Sequence, residues 1–218
     1  MHIPASRDYN TRHIISSTTG NTADTKSWIC PEGVHLVSVY VVGGGGGGEA
    51  TPGTAGGAGG TIHAQQRVVP GETYTLVAGK GGIRGIYGSS TAASGEPSYF
   101  KHGSDNLLVG YGGGKGFYSS SSAAAGGSAE LLRDPLENLG FDIMDGDDSA
   151  AAQGANGGAN LWADGGLGSV GGGLPAGGGA GYRVGENSSG AAHGGNGGNG
   201  GVILEYSLDP MVTDYTPA

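Results

Sequence analysis

The apolar run Leu36-Val37-Ser38-Val39-Tyr40-Val41-Val42 leads directly into six consecutive glycines, Gly43–Gly48. The run is rich in β-branched residues and is apolar on both faces apart from Ser38 and Tyr40, which predicts a central β-strand. Glycine has no side chain to order it, so the following backbone becomes ordered only where its N–H and C=O groups find partners. The junction therefore predicts a strand that continues into closely packed backbone.

Further glycine-rich runs follow along the chain, at Gly56–Gly60, Gly112–Gly114, Gly171–Gly173, Gly177–Gly181 and Gly194–Gly201. The first and the last of these read Gly-Gly-X. In a polyproline-II-type helix, which has three residues per turn and no internal hydrogen bonds, this spacing places every X on one edge and glycines on the other two. We therefore predict polyglycine-II helices packed side by side. The alternative interpretation is a disordered, low-complexity linker.

The amino-acid composition argues against several classes of binding partner. The chain has 218 residues, 51 of them glycine, and a formal net charge of −9. Its 10 Lys and Arg residues form no cluster, which argues against nucleic acid as a partner. The histidines are scattered without metal-ligand spacing, the single Cys30 allows no internal disulfide, and no apolar stretch is long enough to insert into a membrane. The sequence therefore predicts neither a metal nor a cofactor.

Several further strands are predicted between these runs. They are His13–Thr19, Ser27–Cys30, Thr61–Val69, Thr73–Ala78, Leu107–Val109 and a closing strand Val202–Tyr206. Pro70-Gly71 predicts a turn that makes Thr61–Val69 and Thr73–Ala78 a hairpin. The predicted fold class is all-β, with β-sandwich or jelly-roll-like strands combined with packed polyglycine-II helices and minimal α-helix.

The segment Ser128–Ser149 differs from the rest because it is acidic and poor in glycine. We interpret it as an insertion that contains one short helix over Asp134–Gly140. The acidic run Asp142–Asp148 is typical of a solvated loop; a calcium site and a pair of glycosidase carboxylates are the alternatives. The insertion lies within one domain spanning 13–207, between an N-terminal lead-in of 1–12 and a tail of 208–218.

Aromatic residues are the candidate binding residues because few side chains in this chain are large. Tyr40, Tyr74 and Tyr206 lie on predicted strands. Tyr87, Tyr99, Phe100, Tyr111, Phe117, Tyr118, Trp162 and Tyr182 lie in or beside glycine-rich connections. Exposed flat side chains are common contacts for sugars and protein partners. The predicted ligand-binding residues are Trp162, Tyr118, Phe117, Tyr87 and Tyr182, in contact regions that include Ile83–Phe100 and Lys115–Ser122. The alternative is that these aromatics fill gaps between glycine helices.

Motifs for catalysis are weak. Gly43-x-Gly45-x-x-Gly48 matches the letters of a dinucleotide-binding loop, but Glu49-Ala50-Thr51-Pro52-Gly53 follows where that loop needs a helix. No Gly-x-Ser-x-Gly nucleophile motif occurs. The sequence therefore favours a protein that is not an enzyme.

Three stretches in order resemble a known family. They are Trp28-Ile29-Cys30-Pro31-Glu32-Gly33-Val34 leading into Val37–Gly46, then Val68-Val69-Pro70-Gly71-Glu72-Thr73-Tyr74 continuing to Gly82, and last Gly197–Tyr206. Together they resemble the glycine-rich domain of phage tail and tail-fibre proteins. The glycine runs are similar to those of glycine-helix phage adhesins, and the layout is similar to the glycine-rich ectodomain of anaplastic lymphoma kinase receptors, although the cysteines of the receptors are missing.

The resemblance implies an extracellular β-rich module at a fibre tip, on a virion tail or a bacterial surface, often trimeric and associated with receptor binding. The leading hypothesis is thus a non-enzymatic adhesin, the distal domain of a homotrimeric fibre that binds a cell-surface glycan or protein. The alternatives are a purely structural fibre or tail module and a polysaccharide-degrading enzyme at a fibre tip.

Overall fold

Ten β-strands form the regular structure of the residues that the computed structural model describes, which are 11–16, 23–50, 53–86, 91–118, 122–132, 141–149 and 193–207. The strands are β1 Thr11–Ser16, β2 Asp24–Ile29, β3 Leu36–Val42, β4 Thr61–Arg67, β5 Thr73–Ala78, β6 Ser98–His102, β7 Asp105–Gly110, β8 Ala129–Leu131, β9 Phe141–Met144 and β10 Gly201–Tyr206. These residues include no helix of the length and hydropathy that a membrane crossing requires.

The strands form two five-stranded antiparallel sheets, which confirms the all-β prediction. One sheet has the order β1-β10-β3-β4-β9 and the other β2-β5-β6-β7-β8. Strand β3 lies in the middle of the first sheet, between β10 and β4, as its apolar faces predict. The jelly-roll-like strand order stays a prediction.

The predicted hairpin of β4 and β5 is wrong, because the two strands belong to different sheets. The turn between them is fixed to the neighbouring connection by three backbone bonds, Val68 N–H to His35 C=O, Gly71 N–H to Cys30 C=O and Cys30 N–H to Glu72 C=O. Gly71 adopts a φ of 80°, which glycine tolerates and which lets the chain reverse there. Both strands still bury their inner faces, because the two sheets enclose one core.

Strands also form where the sequence did not predict them. Tyr99 and Phe100, which we assigned to a connection, lie on β6, and Phe100 is fully buried. The acidic segment Ser128–Ser149 contributes β8 and β9, which are edge strands of the two different sheets. The helix predicted over Asp134–Gly140 lies outside the described residues.

An aromatic group anchors the core between the sheets. Trp28 of β2 packs against Tyr74 of β5 and Tyr206 of β10, with ring centroids 5.7 and 5.4 Å apart, so the contact joins both sheets. Tyr74 also stacks on Phe100 at 5.4 Å. Fully burying one side chain of this kind contributes about 1.5–3 kcal/mol, which makes this core the main source of stability in the sheets.

Cys30 is buried at the edge of the same core. Its thiol contacts the carbonyl oxygen of Val34 at 3.2 Å. Burial, together with the negative charge of Glu32, raises the pKa of the Cys30 thiol to about 11. The side chain therefore acts as a small apolar group at neutral pH and not as a reactive thiolate.

The described parts of the glycine-rich connections lie at one end of the sheets. Strands β3, β5, β7 and β9 end there, and β4, β6, β8 and β10 begin there, as their antiparallel pairing requires. We call these connections the glycine block. It comprises the outgoing segments 43–50, 79–86, 111–118 and 145–149 and the returning segments 53–60, 91–97, 122–128 and 193–200. The opposite end of the sheets holds the start of β1 and the end of β10, where Thr11 pairs with Tyr206.

Hydrogen bonds in the glycine block repeat every three residues. Along segment 43–49, successive N–H groups bond to three different returning segments in turn. The N–H groups of Gly43, Gly46 and Glu49 bond to segment 53–60, at the carbonyls of Gly60, Gly57 and Thr54. Those of Gly44 and Gly47 bond to segment 91–97, at Glu96 and Ala93, and those of Gly45 and Gly48 bond to segment 193–200, at Gly198 and Gly195. Carbonyl groups of the same segment accept from two outgoing segments, for example Gly82 N–H to Gly45 C=O and Gly113 N–H to Gly44 C=O. Segment 43–49 is therefore surrounded by backbone, as its glycines predict. The polyglycine-II conformation itself stays a prediction.

Short polar side chains complete the hydrogen bonding at the periphery of the block. Asn199 and Asn196 accept from the N–H groups of Gly81 and Arg84, each at 2.9 Å. Thr54, Ser94, Ser149 and Asp148 accept from the N–H groups of Phe117, Lys115, Ala124 and Gly126. The Asn residues at the X positions of the last Gly-Gly-X run thus pair with the backbone of segment 79–86.

Candidate functional site

The far end of the glycine block, away from the sheets, is the candidate functional site. Glu49 closes this end although it carries a charge and is only 4% exposed. Its two carboxylate oxygens accept from the N–H groups of Ala50 and Ala92, each at 2.9 Å. A carboxylate that accepts backbone N–H groups is a strong acceptor. Glu49 therefore ties the first outgoing segment to the returning segment 91–97 at the point where the block ends.

Two of the predicted binding residues lie at this end and are exposed. Phe117 is 41% exposed and Tyr118 is 64% exposed. The backbone just before them is fixed, because Phe117 N–H donates to Thr54 Oγ1 at 2.9 Å and its carbonyl accepts from Thr54 N–H. The structure thus holds two aromatic side chains on rigid backbone. The other predicted residues, Tyr87, Trp162 and Tyr182, lie outside the described residues.

The predicted contact region Ile83–Phe100 divides into two parts. Its C-terminal residues Ser98–Phe100 lie on β6, where Ser98 and Phe100 are buried, so the assignment of these residues to a loop is wrong. Its N-terminal residues remain in the block, where Ile83 and Ile86 are exposed. The prediction did not single out these isoleucines, although Gly81-Gly82-Ile83 is itself a Gly-Gly-X triplet.

Segment 91–97 lies between two outgoing segments of the block. Its middle part consists of the small residues Ala93, Ser94 and Gly95. On one side, Ile83 C=O accepts from Ala93 N–H at 3.0 Å; on the other, Lys115 N–H donates to Ser94 Oγ at 3.2 Å. The same segment therefore has one outgoing segment on each side at the same height in the block.

The two flanking segments turn different positions toward segment 91–97. On one flank, a methyl group on Gly79 or on Gly82 would overlap the carbonyl oxygen of Glu96 or of Ala93, so the glycines face segment 91–97 and the exposed Ile83 and Ile86 are out of phase with them. The longer side chain of Lys80 still reaches Glu96 in a 3.0 Å ion pair. On the other flank, a methyl group on Gly112 would overlap the Gly95 carbonyl oxygen, and Lys115 and Tyr118 follow Gly112 at three-residue intervals. Because the hydrogen-bond pattern repeats every three residues, Lys115 and Tyr118 lie on the side of segment 111–118 that faces segment 91–97.

A second polar cluster lies on the outer face of the first sheet. Ser38 Oγ is 2.7 Å from His63 Nε2, and His63 Nδ1 is 3.8 Å from Asp142 Oδ2. The order Ser–His–Asp is that of a nucleophilic triad. However, Ser38 is only 2% exposed, its strand pairs with β4 and β10 on both sides, and the His63 ring stacks on Tyr40 at 4.0 Å. The cluster therefore ties β3, β4 and β9 together and offers a substrate no access to Ser38.

The acidic run Asp142–Asp148 was predicted as a solvated loop, but its first part is strand β9. Asp142, Asp145, Asp147 and Asp148 are all exposed, and Asp148 Oδ1 accepts from Gly126 N–H at 2.7 Å. Among the described residues, no group of three His, Cys, Asp or Glu side chains could hold a metal ion. The bond to Asp148 attaches the end of this run to the backbone of the block.

Comparison with known proteins agrees with this architecture at the level of the domain. A family model described as "Glycine-rich domain" matches residues 18–173, which is most of the chain. No curated protein matches the chain in sequence. The match runs from before β2 to beyond β9 and includes seven of the eight segments of the glycine block. This chain therefore belongs to the glycine-rich domain family.

Proposed function

We propose that this chain is a non-enzymatic adhesin, the receptor-binding domain at the tip of an extracellular fibre, and that its far end binds a cell-surface glycan or protein. The observation that carries the proposal is the exposure of Phe117 and Tyr118 at the end of the glycine block. That end lies opposite the point where β1 begins and β10 ends. A target surface can approach it without obstruction from the sheets.

The scaffold fits this role if the block consists of polyglycine-II helices carried on jelly-roll-like sheets. The three-residue alternation of partners along segment 43–49 supports such helices, because a helix with three residues per turn presents its N–H groups in three directions. Backbone bonded on every side does not need to become ordered when a ligand binds. A rigid aromatic contact therefore loses little conformational entropy on binding.

The test is attachment of the purified protein to target cells, compared between variants with matched stability. We expect Tyr118→Ala to weaken attachment at least about 10-fold with an unchanged melting temperature, since aromatic anchors commonly contribute 2 kcal/mol or more. Ile29→Ala is the control, because Ile29 is equally exposed, at 66%, but lies at the opposite end. Normal attachment of Tyr118→Ala, or equal loss in both variants, would contradict the proposal.

We also propose that the domain is a homotrimer, as in the fibres of the resembling phage family. Three-fold symmetry would place three copies of the far end side by side and multiply weak contacts through effective concentration. Light scattering of the purified protein at micromolar concentration tests the trimer. A stable monomer would contradict the proposed trimer, and the proposal about the binding surface would not be affected.

A further inference from the structure

We infer that Asn196 and Asn199 are two sites of spontaneous deamidation that the folded glycine block protects, and that Asn196 is the first to react when the far end of the block opens. Each Asn precedes a glycine and stands at the centre of the same five residues, Gly-Gly-Asn-Gly-Gly. This chemistry concerns the durability of the scaffold and is independent of what the far end binds.

Deamidation is fastest at Asn-Gly pairs, because a glycine without a side chain leaves its own nitrogen open to approach and its backbone free to rotate. The glycine nitrogen attacks the carbonyl carbon of the Asn side chain and forms a new N–C bond. The bond from that carbon to the side-chain nitrogen breaks, and ammonia leaves with the proton of the glycine N–H. Water then opens the cyclic imide to aspartate or isoaspartate, and isoaspartate adds one atom to the main chain.

The pair Asn199-Gly200 is bonded to the neighbouring segment 79–86 through both groups that the reaction uses. Gly200 N–H donates to the Gly79 carbonyl at 2.8 Å, and Asn199 Oδ1 accepts from Gly81 N–H at 2.9 Å. Attack by the glycine nitrogen would break both bonds. This pair therefore becomes reactive only after it separates from segment 79–86.

The pair Asn196-Gly197 repeats this arrangement three residues further from the sheets. Gly197 N–H donates to the Gly82 carbonyl at 2.9 Å, and Asn196 Oδ1 accepts from Arg84 N–H at 2.9 Å. The same two groups are thus held in the same way, and the same separation must precede the reaction.

The packing of the block requires both of the glycines that make these pairs reactive. A methyl group on Gly197 would overlap the carbonyl oxygen of Gly45, and a methyl group on Gly200 would overlap that of Val42. The Asn side chains in turn supply acceptors to segment 79–86. The segment therefore keeps a reactive sequence, and the folded structure is what limits the reaction.

The two pairs differ in burial although their local sequences are identical. Asn199 is half-buried and is followed by the buried Gly200, which leads directly into β10, whereas Asn196 is exposed and Gly197 is half-buried. The free energy of local opening is lowest at exposed ends and rises toward the core of a fold. Opening of the far end alone therefore releases Asn196, but Asn199 reacts only if the segment also separates next to the sheets.

The test is site-resolved mass spectrometry of the whole protein during incubation at mildly alkaline pH, either folded in buffer or unfolded in guanidinium chloride. In denaturant the two sites should react at equal rates because their sequences match, so each site serves as the control for the other. In the folded protein both should react at least about 10-fold more slowly than in denaturant, because opening is unfavourable. Asn199 should be the slower of the two.

Rates in the folded protein that equal those in denaturant would overturn the protection, and a folded Asn199 that reacts as fast as Asn196 would overturn the order. Glu49→Gln gives a second measurement, because Glu49 closes the far end and the preceding Gly48 N–H bonds to Gly195. This variant is expected to raise the rate at Asn196 more than the rate at Asn199. An unchanged rate at Asn196, or an equal or larger increase at Asn199, would contradict opening from the far end.

Discussion

The two sheets and the glycine block are both well ordered, but they are stabilised in opposite ways. In the sheets, large side chains such as Trp28, Tyr74 and Phe100 fill the space between two layers of backbone. In the block, the six glycines 43–48 are buried because they have no side chains, which allows backbone to contact backbone on several sides. The difference shows that burial depends on the close packing of any atoms and does not require apolar side chains.

This comparison predicts opposite responses to mutation. Removing atoms should damage the sheets, because a cavity forms and buried apolar contacts are lost. Adding atoms should damage the block, because the neighbouring atoms are carbonyl groups that cannot move without breaking hydrogen bonds. The predictions below test this contrast from the largest expected effect to the smallest.

Gly46→Ala should be the most damaging single change. A methyl group there would overlap the carbonyl oxygen of Gly114, which itself accepts from Gly57 N–H. Overpacking and the loss of backbone bonds together should lower the free energy of unfolding by about 4 kcal/mol. Gly103→Ala is the control, because nothing lies near that position and only its φ of 58° costs energy, roughly 1 kcal/mol. Equal melting temperatures for the two variants would refute backbone packing in the block.

The buried thiol of the sheets should make stability depend on alkaline pH. The pKa of Cys30 is about 11 in the folded protein against an ordinary value of 9.0, so the folded state holds this proton more tightly. The resulting contribution to stability is complete below pH 9 and is lost as pH rises from 9 through 11; by pH 11 the loss is roughly 2 kcal/mol. Urea unfolding between pH 8 and 11 should show a steeper decline for the wild type than for Cys30→Ala. Parallel curves would show that Cys30 ionises equally in both states.

A change at Glu49 tests whether the end of the block depends on a side chain that accepts hydrogen bonds through both of its carboxylate oxygens. Glu49→Gln replaces one oxygen by an N–H₂ group, which would face the N–H of Ala50 or Ala92. We expect a loss of about 2 kcal/mol, because a buried donor then lacks its acceptor. Glu96→Gln is the matched control, since its ion pair with Lys80 is 40% exposed on the Glu96 side and should contribute less than about 1 kcal/mol. Hydrogen exchange at Ala92 would report the loosening directly, and unaltered exchange would argue against it.

The two Asn side chains at the periphery of the block should show the smallest effects, and those effects should differ. Asn199→Ala removes the acceptor of a partly buried N–H on Gly81, and we expect a loss of about 1 kcal/mol. Asn196→Ala affects an exposed bond to Arg84, where water can replace the side chain, so the loss should be near zero. Thermal unfolding of both variants checks the order, and a larger effect at Asn196 would reverse the interpretation.

The sequence predicted best where a local pattern decides the structure. The apolar faces of Leu36–Val42 placed it correctly in the middle of a sheet. The glycine runs predicted packed backbone because glycine has no side chain, so these runs become ordered only through hydrogen bonds of their backbone. The exposure of Tyr118 followed from the scarcity of bulky neighbours.

Errors arose where distant contacts decide the structure. A Pro-Gly turn between two alternating strands is typical of a hairpin, and only the pairing of β5 with β2 and β6 shows that the chain crosses to the other sheet. Strand β9 begins the acidic run with Asp142 and becomes a strand because it pairs with β4 at the edge of the sheet. The position of segment 91–97 between segments 79–86 and 111–118 depends on contacts between parts of the chain that lie far apart, which no single stretch of sequence reveals.

The three-residue alternation of partners limits how this domain can change in length. An insertion of one residue in segment 43–49 would rotate every later N–H group toward the wrong neighbour. An insertion of three residues at the same height in every segment of the block would keep every pairing and, at 3.1 Å per residue, would lengthen the block by about 9 Å. The length of the block can thus change in evolution in steps of one full turn. Each step would carry the far end outward, while the sheets remain as they are.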